Sequence, residues 1–304
     1  MFAGGLVTEL DETFTSGVEL ARRLGVSRVA VHKRVRRMAE AGYPVQSGPR
    51  GYRWRPGAPA PRPLRRRYTG PLLGGMDYLA ETTSTQDRAR ELAAAGAAEG
   101  TLVVAERQSA GRGRRGRSWL SPAGGLYFSL VLRPQLPLVS LPLVSLAAGA
   151  ALAEAAGVGG LKWPNDLLAP DGRKLAGVLL EAELLGEEAL YLILGIGLNL
   201  DPPELAGAAG LRQFVRAVRV DVLARFLAAL EPLYRTLPDP GPVLAAWRER
   251  TVTLGRQVWI QTPAGIKKGR ALDVEEDGSL VLETPGGKRT RVSAGEVEWI
   301  GGFK

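Results

Sequence analysis

The chain has no cysteine and a single histidine, His32, in 304 residues. Disulfides, thiolate nucleophiles and Cys-based zinc sites are therefore excluded, and a His-rich metal site cannot be assembled, so no metal ligands are assigned. A Ser-His-Asp triad would have to recruit His32 from a segment that reads as DNA-binding. No stretch approaches the ~18 uninterrupted apolar residues of a membrane span. Residues 1–10 carry Glu9 and no preceding basic region, which is not a signal-peptide pattern. The expectation is a cytoplasmic chain with no membrane partner. Any catalysis must come from positioned charges and hydrogen bonds, with Mg²⁺ held by substrate oxygens.

Charge is present but unevenly placed. The net charge is +9, and residues 1–67 alone hold 14 Lys+Arg against 5 Asp+Glu, whereas residues 68–304 hold 26 of each. All the excess lies in the first segment, which points to a polyanion partner there and a different task for the remainder.

Residues 1–54 read as a winged helix-turn-helix. Ser16 caps a helix over 16–24 with Val18, Leu20, Ala21 and Leu24 on its apolar face, and Gly25-Val26 turns the chain. Ser27 caps a second helix over 28–41, where Val29, Val31, Val35 and Met38 form the apolar face and Gly42 stops it. Residues 45–47 and 52–54 flank the turn Gly48-Pro49-Arg50-Gly51, a hairpin wing. Ser27, Arg28, His32, Lys33, Arg34 and Arg50 are the candidate DNA contacts, with Arg36 and Arg37 beside them. Residues 55–67, RPGAPAPRPLRRR, read as an extended, semi-rigid linker.

From Tyr68 to residue 251 the pattern is mixed α and β. Helices are expected over 84–95, 143–156, 220–237 and 242–250, and strands over 101–106, 126–133, 175–184 and 190–198. Residues 252–304 contain strand-like runs at 257–261, 268–274, 279–283 and 288–292, separated by the hairpin signals Pro263-Ala264-Gly265, Asp277-Gly278 and Pro285-Gly286-Gly287. A small β-barrel is the natural solution.

The strongest local signal is Gln108-Ser-Ala-Gly-Arg-Gly-Arg-Arg-Gly-Arg117, followed by Ser118 and Trp119. Glycines let backbone amides approach an anion while guanidinium groups supply charge, which suits a phosphate loop, although arginine-glycine runs also bind RNA. In Lys162-Trp163-Pro164-Asn165-Asp166 the lysine can neutralise an anion, and Asp166 can hold Mg²⁺ or a hydroxyl. Arg173-Lys174-Leu175-Ala176-Gly177 leads a cation into a buried strand, and Gly195-Ile-Gly-Leu-Asn199 closes another. Thr82-Thr83-Ser84-Thr85-Gln86-Asp87 opens a helix, and its hydroxyls can cap that helix, bind a small polar ring, or divide the two tasks.

Taken in order, Ser-Thr, Gln-x-x-Gly-Arg-Gly-Arg-Arg-Gly-Arg-x-Trp, Lys-Trp-Pro-Asn-Asp, Arg-Lys-Leu-Ala-Gly and Gly-Ile-Gly-x-Asn resemble the biotin-protein ligase family over nearly the whole chain. With the N-terminal winged helix, the chain is similar to the bifunctional members that also repress the biotin operon. The resemblance implies an α+β multidomain protein whose central domain is of the class II synthetase-like biotin/lipoate ligase type, followed by a Src-homology-3-like barrel. It implies biotin, ATP and Mg²⁺, a biotin carboxyl carrier protein as acceptor, operator DNA, and a homodimer formed with biotinyl-AMP as corepressor.

By the same resemblance, Ser84, Thr85, Gln108, Gly111, Arg112 and Gly113 match positions around biotin, and Lys174 faces its carboxyl. Arg114, Arg115, Arg117, Trp119, Lys162, Asn165, Asp166 and Asn199 match the ATP and adenylate side, with Arg114, Lys174 and Asp166 nearest the chemistry. Gln86 departs from the family's usual Asn. A lipoate-protein ligase would show an Arg-Arg-x-Ser/Gly-Gly-Gly run and a nearby histidine, and neither is present. A ligand-sensing regulator without chemistry is the rival from another class.

Overall fold

The computed structural model describes residues 4–263 and 265–299; Ala264 of the expected 263–265 turn and the two chain ends lie outside that set. Three helices, α1 (Gly4–Glu9), α2 (Gly17–Leu24) and α3 (Arg28–Glu40), and a hairpin of β1 (Val45–Gly48) and β2 (Gly51–Trp54) form the winged helix-turn-helix. Ser16 and Ser27 cap as expected, each Oγ accepting a backbone N–H three residues on at 3.1 Å. Leu20, Val31, Val35 and Met38 are buried with Leu6 of α1, a helix too short to show a period in the sequence, and with Leu10 just after it. Val18 and Val29 do not belong to those faces, and each is 64% exposed. Each sits two residues from a buried neighbour, a spacing that shares a face in a strand but lies about 200° apart on a helix.

The segment 55–67 is not the extended linker its prolines suggest. It contains α4 (Pro61–Arg65), with Pro61 at the start, where the missing N–H costs nothing. Ala58, Ala60, Pro61, Pro63 and Leu64 are buried, and α4 packs on α1 and on a helix of the central domain. Arg67 then donates to Glu12 at 2.9 Å, to Asp221 at 2.5 Å and to the Pro63 carbonyl at 2.9 Å. On the other side of this junction Tyr43, Trp54 and Tyr78 meet with ring centroids 5.4–6.0 Å apart, and the Tyr43 hydroxyl donates to the Tyr78 carbonyl at 3.0 Å.

The central sheet comprises β3 (Gly75–Thr82), β4 (Thr101–Gln108), β5 (Leu126–Leu132), β6 (Gly160–Lys162), β7 (Asp166–Leu168), β8 (Lys174–Leu185) and β9 (Glu188–Leu198). Their order is β3-β4-β5-β9-β8-β7-β6, with β3 and β4 parallel and every other pair antiparallel. Helix α5 (Thr85–Ala94) lies on one face, where Ala89 and Ala93 meet Val103, Val131 and Ile193. The other face carries α6 (Leu141–Ala156), α7 (Arg219–Thr236) and α8 (Gly241–Arg250), with Phe128 edge-on to Phe226 at 5.1 Å. Residues Leu138–Ala156 are long and apolar enough to cross a membrane by length and composition, yet α6 is buried along most of its length beneath α7 and α8.

The C-terminal unit is a five-stranded antiparallel sheet: β10 (Gln257–Thr262), β11 (Gly265–Val274), β12 (Leu280–Glu283), β13 (Arg289–Val292) and β14 (Glu296–Trp299), in the order β13-β12-β11-β10-β14. The last strand, EVEW, was not anticipated, because four residues with one inward apolar side chain carry little pattern. Trp163 anchors this unit to the central domain: its indole N–H donates to the Gly278 carbonyl at 3.0 Å and its backbone N–H to Thr253 Oγ1 at 2.8 Å.

Candidate active site

A cleft of about 210 Å³ opens on the α5 face of the central sheet. Its position follows from alternation along β9. Tyr191 and Ile193 point under α5, so Gly195 and Gly197 continue the same face as bare backbone, while Leu192, Leu194, Ile196 and Leu198 fill the opposite core. A Cβ on Gly195 would stand 2.3 Å from Gln86 Oε1, and one on Gly197 2.4 Å from Trp119 Nε1. Gly177 of β8 lies beneath the same indole, where an added Cβ would stand 3.2 Å from Cζ3. The glycines that close two of the sequence motifs therefore form a floor on which Trp119 rests.

One end of the cleft is lined by neutral polar groups. Ser84 is the N-cap of α5, its Oγ accepting from Gln86 N at 3.2 Å. Gln108 Oε1 accepts from Thr85 N at 2.7 Å and from Thr85 Oγ1 at 3.1 Å, and Gln108 Nε2 donates to Ser121 Oγ at 2.8 Å. Ser129 Oγ lies 2.9 Å from Thr85 Oγ1 and 3.0 Å from Gln86 Oε1, and Gln86 Nε2 donates to the Ile193 carbonyl at 2.9 Å. These side chains hold one another in place before any ligand arrives. Arg112 lines the cleft edge, held by Asp87 and, at 2.5 Å, by Glu181, both of which also pair with Arg90.

The other end is cationic. Lys174 Nζ lies 2.7 Å from Asp166 Oδ1 and 5.2 Å from the centre of the Trp119 ring. Arg114 Nη1 donates to Asn165 Oδ1 at 2.9 Å, and Asn165 Nδ2 donates to the Val178 carbonyl at 2.8 Å. Burial pushes the Arg114 guanidinium below its ordinary range, while the charges of Asp166 and Glu296 pull it back. Arg117 also lines the cleft and is paired with Glu296 of β14, which ties the arginine loop to the C-terminal unit. The indole nitrogen of Trp119 is buried and has no hydrogen-bond partner among the described residues.

The cleft thus gathers Ser84, Thr85, Gln108, Arg112, Gly113, Arg114, Arg117, Trp119, Asn165, Lys174 and Asn199. Four expected residues do not line it. Gly111 lies behind the wall, where a Cβ would sit 2.4 Å from the Trp119 carbonyl; Asp166 is paired with Lys174. Arg115 is exposed at a left-handed turn, φ 57°. Lys162 sits 5.6 Å over the ring of Trp299, facing the C-terminal unit. Sequence reasoning missed Ser129, whose signal was a lone hydroxyl inside the apolar run LYFSLVL, and the wall at residues 203–208, which carries no signal.

On the N-terminal domain Arg28, His32, Lys33 and Arg50 are exposed and Arg34 is half-buried. Ser27 is engaged as the α3 cap. His32 Nδ1 shares a hydrogen bond of 3.0 Å with the Tyr52 hydroxyl, which joins α3 to the wing, and Arg50 lies 5.3 Å over the Phe14 ring.

Comparison with known proteins agrees with this division. Residues 78–199 match the Biotin/lipoate A/B protein ligase family, residues 253–299 the Biotin protein ligase C terminal domain, and residues 6–53 an HTH domain. The chain is 34% identical over 310 residues to the bifunctional ligase/repressor BirA of Bacillus subtilis, covering 95% of each. It is 35% identical over 243 residues to the biotin--[acetyl-CoA-carboxylase] ligase of Mycobacterium tuberculosis, covering 73% of this chain and 88% of that one. Among solved structures, biotin protein ligase from Aquifex aeolicus in complex with biotin and ATP superposes with a TM-score of 0.60 at 31% identity, covering 74% of this chain and 98% of that one.

Proposed function

The chain belongs to the biotin-protein ligase family, and on that premise we propose that it joins biotin to ATP as biotinyl-5'-AMP, then passes biotin to a lysine of a biotin carboxyl carrier protein. Residues 68–251 carry the chemistry, residues 252–304 brace the arginine loop, and residues 1–54 bind DNA. The ligase reading rests above all on the two anchored cations, Lys174 on Asp166 and Arg114 on Asn165, at one end of a cleft whose other end is neutral and polar.

Biotin's ureido ring meets Ser84, Thr85 and Gln108, and its chain runs over the glycine floor toward Lys174. A carboxylate oxygen then attacks the α-phosphorus of ATP, a new P–O bond forms, and the bond to pyrophosphate breaks. Both reactants are anionic, so Lys174 and Arg114 offset charge that the partly buried cleft would otherwise penalise. Asp166 holds Lys174 in place, and Trp119 offers an aromatic face to adenine. Among the described residues no group of three or more His, Asp or Glu is gathered for a metal. Mg²⁺ would instead be held by the ATP phosphates and, so bound, would supply positive charge toward the leaving pyrophosphate. In the second step the acceptor amine attacks the acyl carbon, AMP leaves with the bridging oxygen, and the amine loses a proton. No side-chain nucleophile is needed.

With biotinyl-AMP bound, the protein pairs as a homodimer and represses at an operator; the net +9 of residues 1–67 and the capped α3 support this half. Mass spectrometry of a carrier domain incubated with protein, biotin, ATP and Mg²⁺ tests the ligase, with a biotin-sized gain on one lysine expected. No gain with biotin still bound would replace the ligase by a biotin-responsive regulator. Operator binding indifferent to biotin plus ATP would remove the corepressor role.

A further inference from the structure

The outward ridge of α3 carries one apolar residue among cations. Helix residues are about 100° apart, so Val29, Lys33 and Arg36 stand roughly 130–170° round from the buried stripe of Val31, Val35 and Met38. All three are exposed, Val29 at 64%. Arg36 is paired with Glu40 at 3.1 Å, and His32, on the flank, is held by Tyr52 of the wing. Val29 lies in the first turn of α3, the end at which a groove-binding helix makes its base contacts, beside the exposed Arg28.

An isolated exposed valine is ordinary on a surface. At this position its neighbours select the occupant, because the cationic face around it is complementary to a nucleic-acid duplex and to little else. Valine has no group for a phosphate or for a hydrogen-bonding base edge. In the major groove the apolar feature that its methyls can meet is the C5-methyl of thymine.

The geometry points to Val29 as a reader of one thymine methyl in each operator half-site, a specificity-determining contact that rests on the operator-binding reading above. Arg28 and Lys33 then supply attraction and register, and Val29 supplies discrimination.

The test uses the full chain with biotin, ATP and Mg²⁺ to select duplexes from a random library, after which each thymine of the selected site is replaced by dU, which lacks only the methyl. One position per half-site is expected to lose roughly four-fold in affinity, the worth of a buried methyl group. That loss should vanish in V29A and persist in part in V29T, which keeps one methyl. Both variants alter an exposed side chain, and their unfolding midpoints report that they fold. Equal binding of dT and dU at every position, or a full dU penalty in V29A, would overturn the assignment. A library that yields no preferred sequence would instead overturn the operator reading, and with it this contact.

Discussion

Arg114 and Lys174 enter the cleft from different segments, and each is held by one of the two residues that follow Pro164, Asn165 for the first and Asp166 for the second. On the proposed mechanism, removing the Arg114 guanidinium takes away a donor to the charge that builds on the phosphate. The Arg114→Ala protein is expected to lose about 10²–10³ in the rate of pyrophosphate release, as for other donors to a developing oxyanion. Gly197 gives the opposite kind of prediction, because its Cβ would fall 2.4 Å from Trp119 Nε1. Gly197→Ala displaces the indole at a cost of about 1–3 kcal/mol, so the KM for ATP should rise by about ten-fold or more, while biotin affinity measured by calorimetry changes less. These residues were legible in the sequence because charge and glycine at strand ends are visible without a fold. Residue type alone could not show that Lys162 lies outside the cleft, because the direction of its side chain depends on Trp299 of β14.

At the scale of elements, the arginine loop is held at both ends. Its stem is closed by Gly113 N donating to the Arg117 carbonyl at 2.7 Å, and from that stem the Arg117 side chain reaches Glu296 of β14. The pair is partly open to solvent, so its removal should cost only about 0.5–1 kcal/mol. Glu296→Ala is therefore expected to raise the KM for ATP a few-fold and to speed proteolytic nicking of the loop. Capped, periodic elements such as α2, α3 and α5 could be read directly, with Ser16, Ser27 and Ser84 marking their starts. Helix α1, α4 and β14 could not, since each is six residues or fewer and is stabilised by contacts with distant parts of the chain. The prolines of α4 misled because they occupy a first turn, where proline is favoured, and not a helix interior.

The whole molecule is bolted where the prolines of residues 55–67 suggest an extended, semi-rigid linker. Arg67 gathers Glu12, Asp221 and the Pro63 carbonyl, and its replacement leaves two carboxylates without that partner. Arg67→Ala should cost about 1–3 kcal/mol and expose residues 55–67 to protease, and the unfolding midpoint and cleavage rate report each effect. On the other side of the junction, Tyr43 lies three residues beyond the end of α3 and grips β3, which ends at Thr82, two residues before the Ser84 cap. A reading head fixed to its body in this way cannot swivel to suit a target. In the proposed homodimer, a symmetric pair of such protomers would act as a rigid caliper, with the jaw gap set by the bodies and not by a tether. Inserting about five base pairs between operator half-sites, half a turn of DNA, should therefore abolish binding, whereas a tethered head would tolerate it.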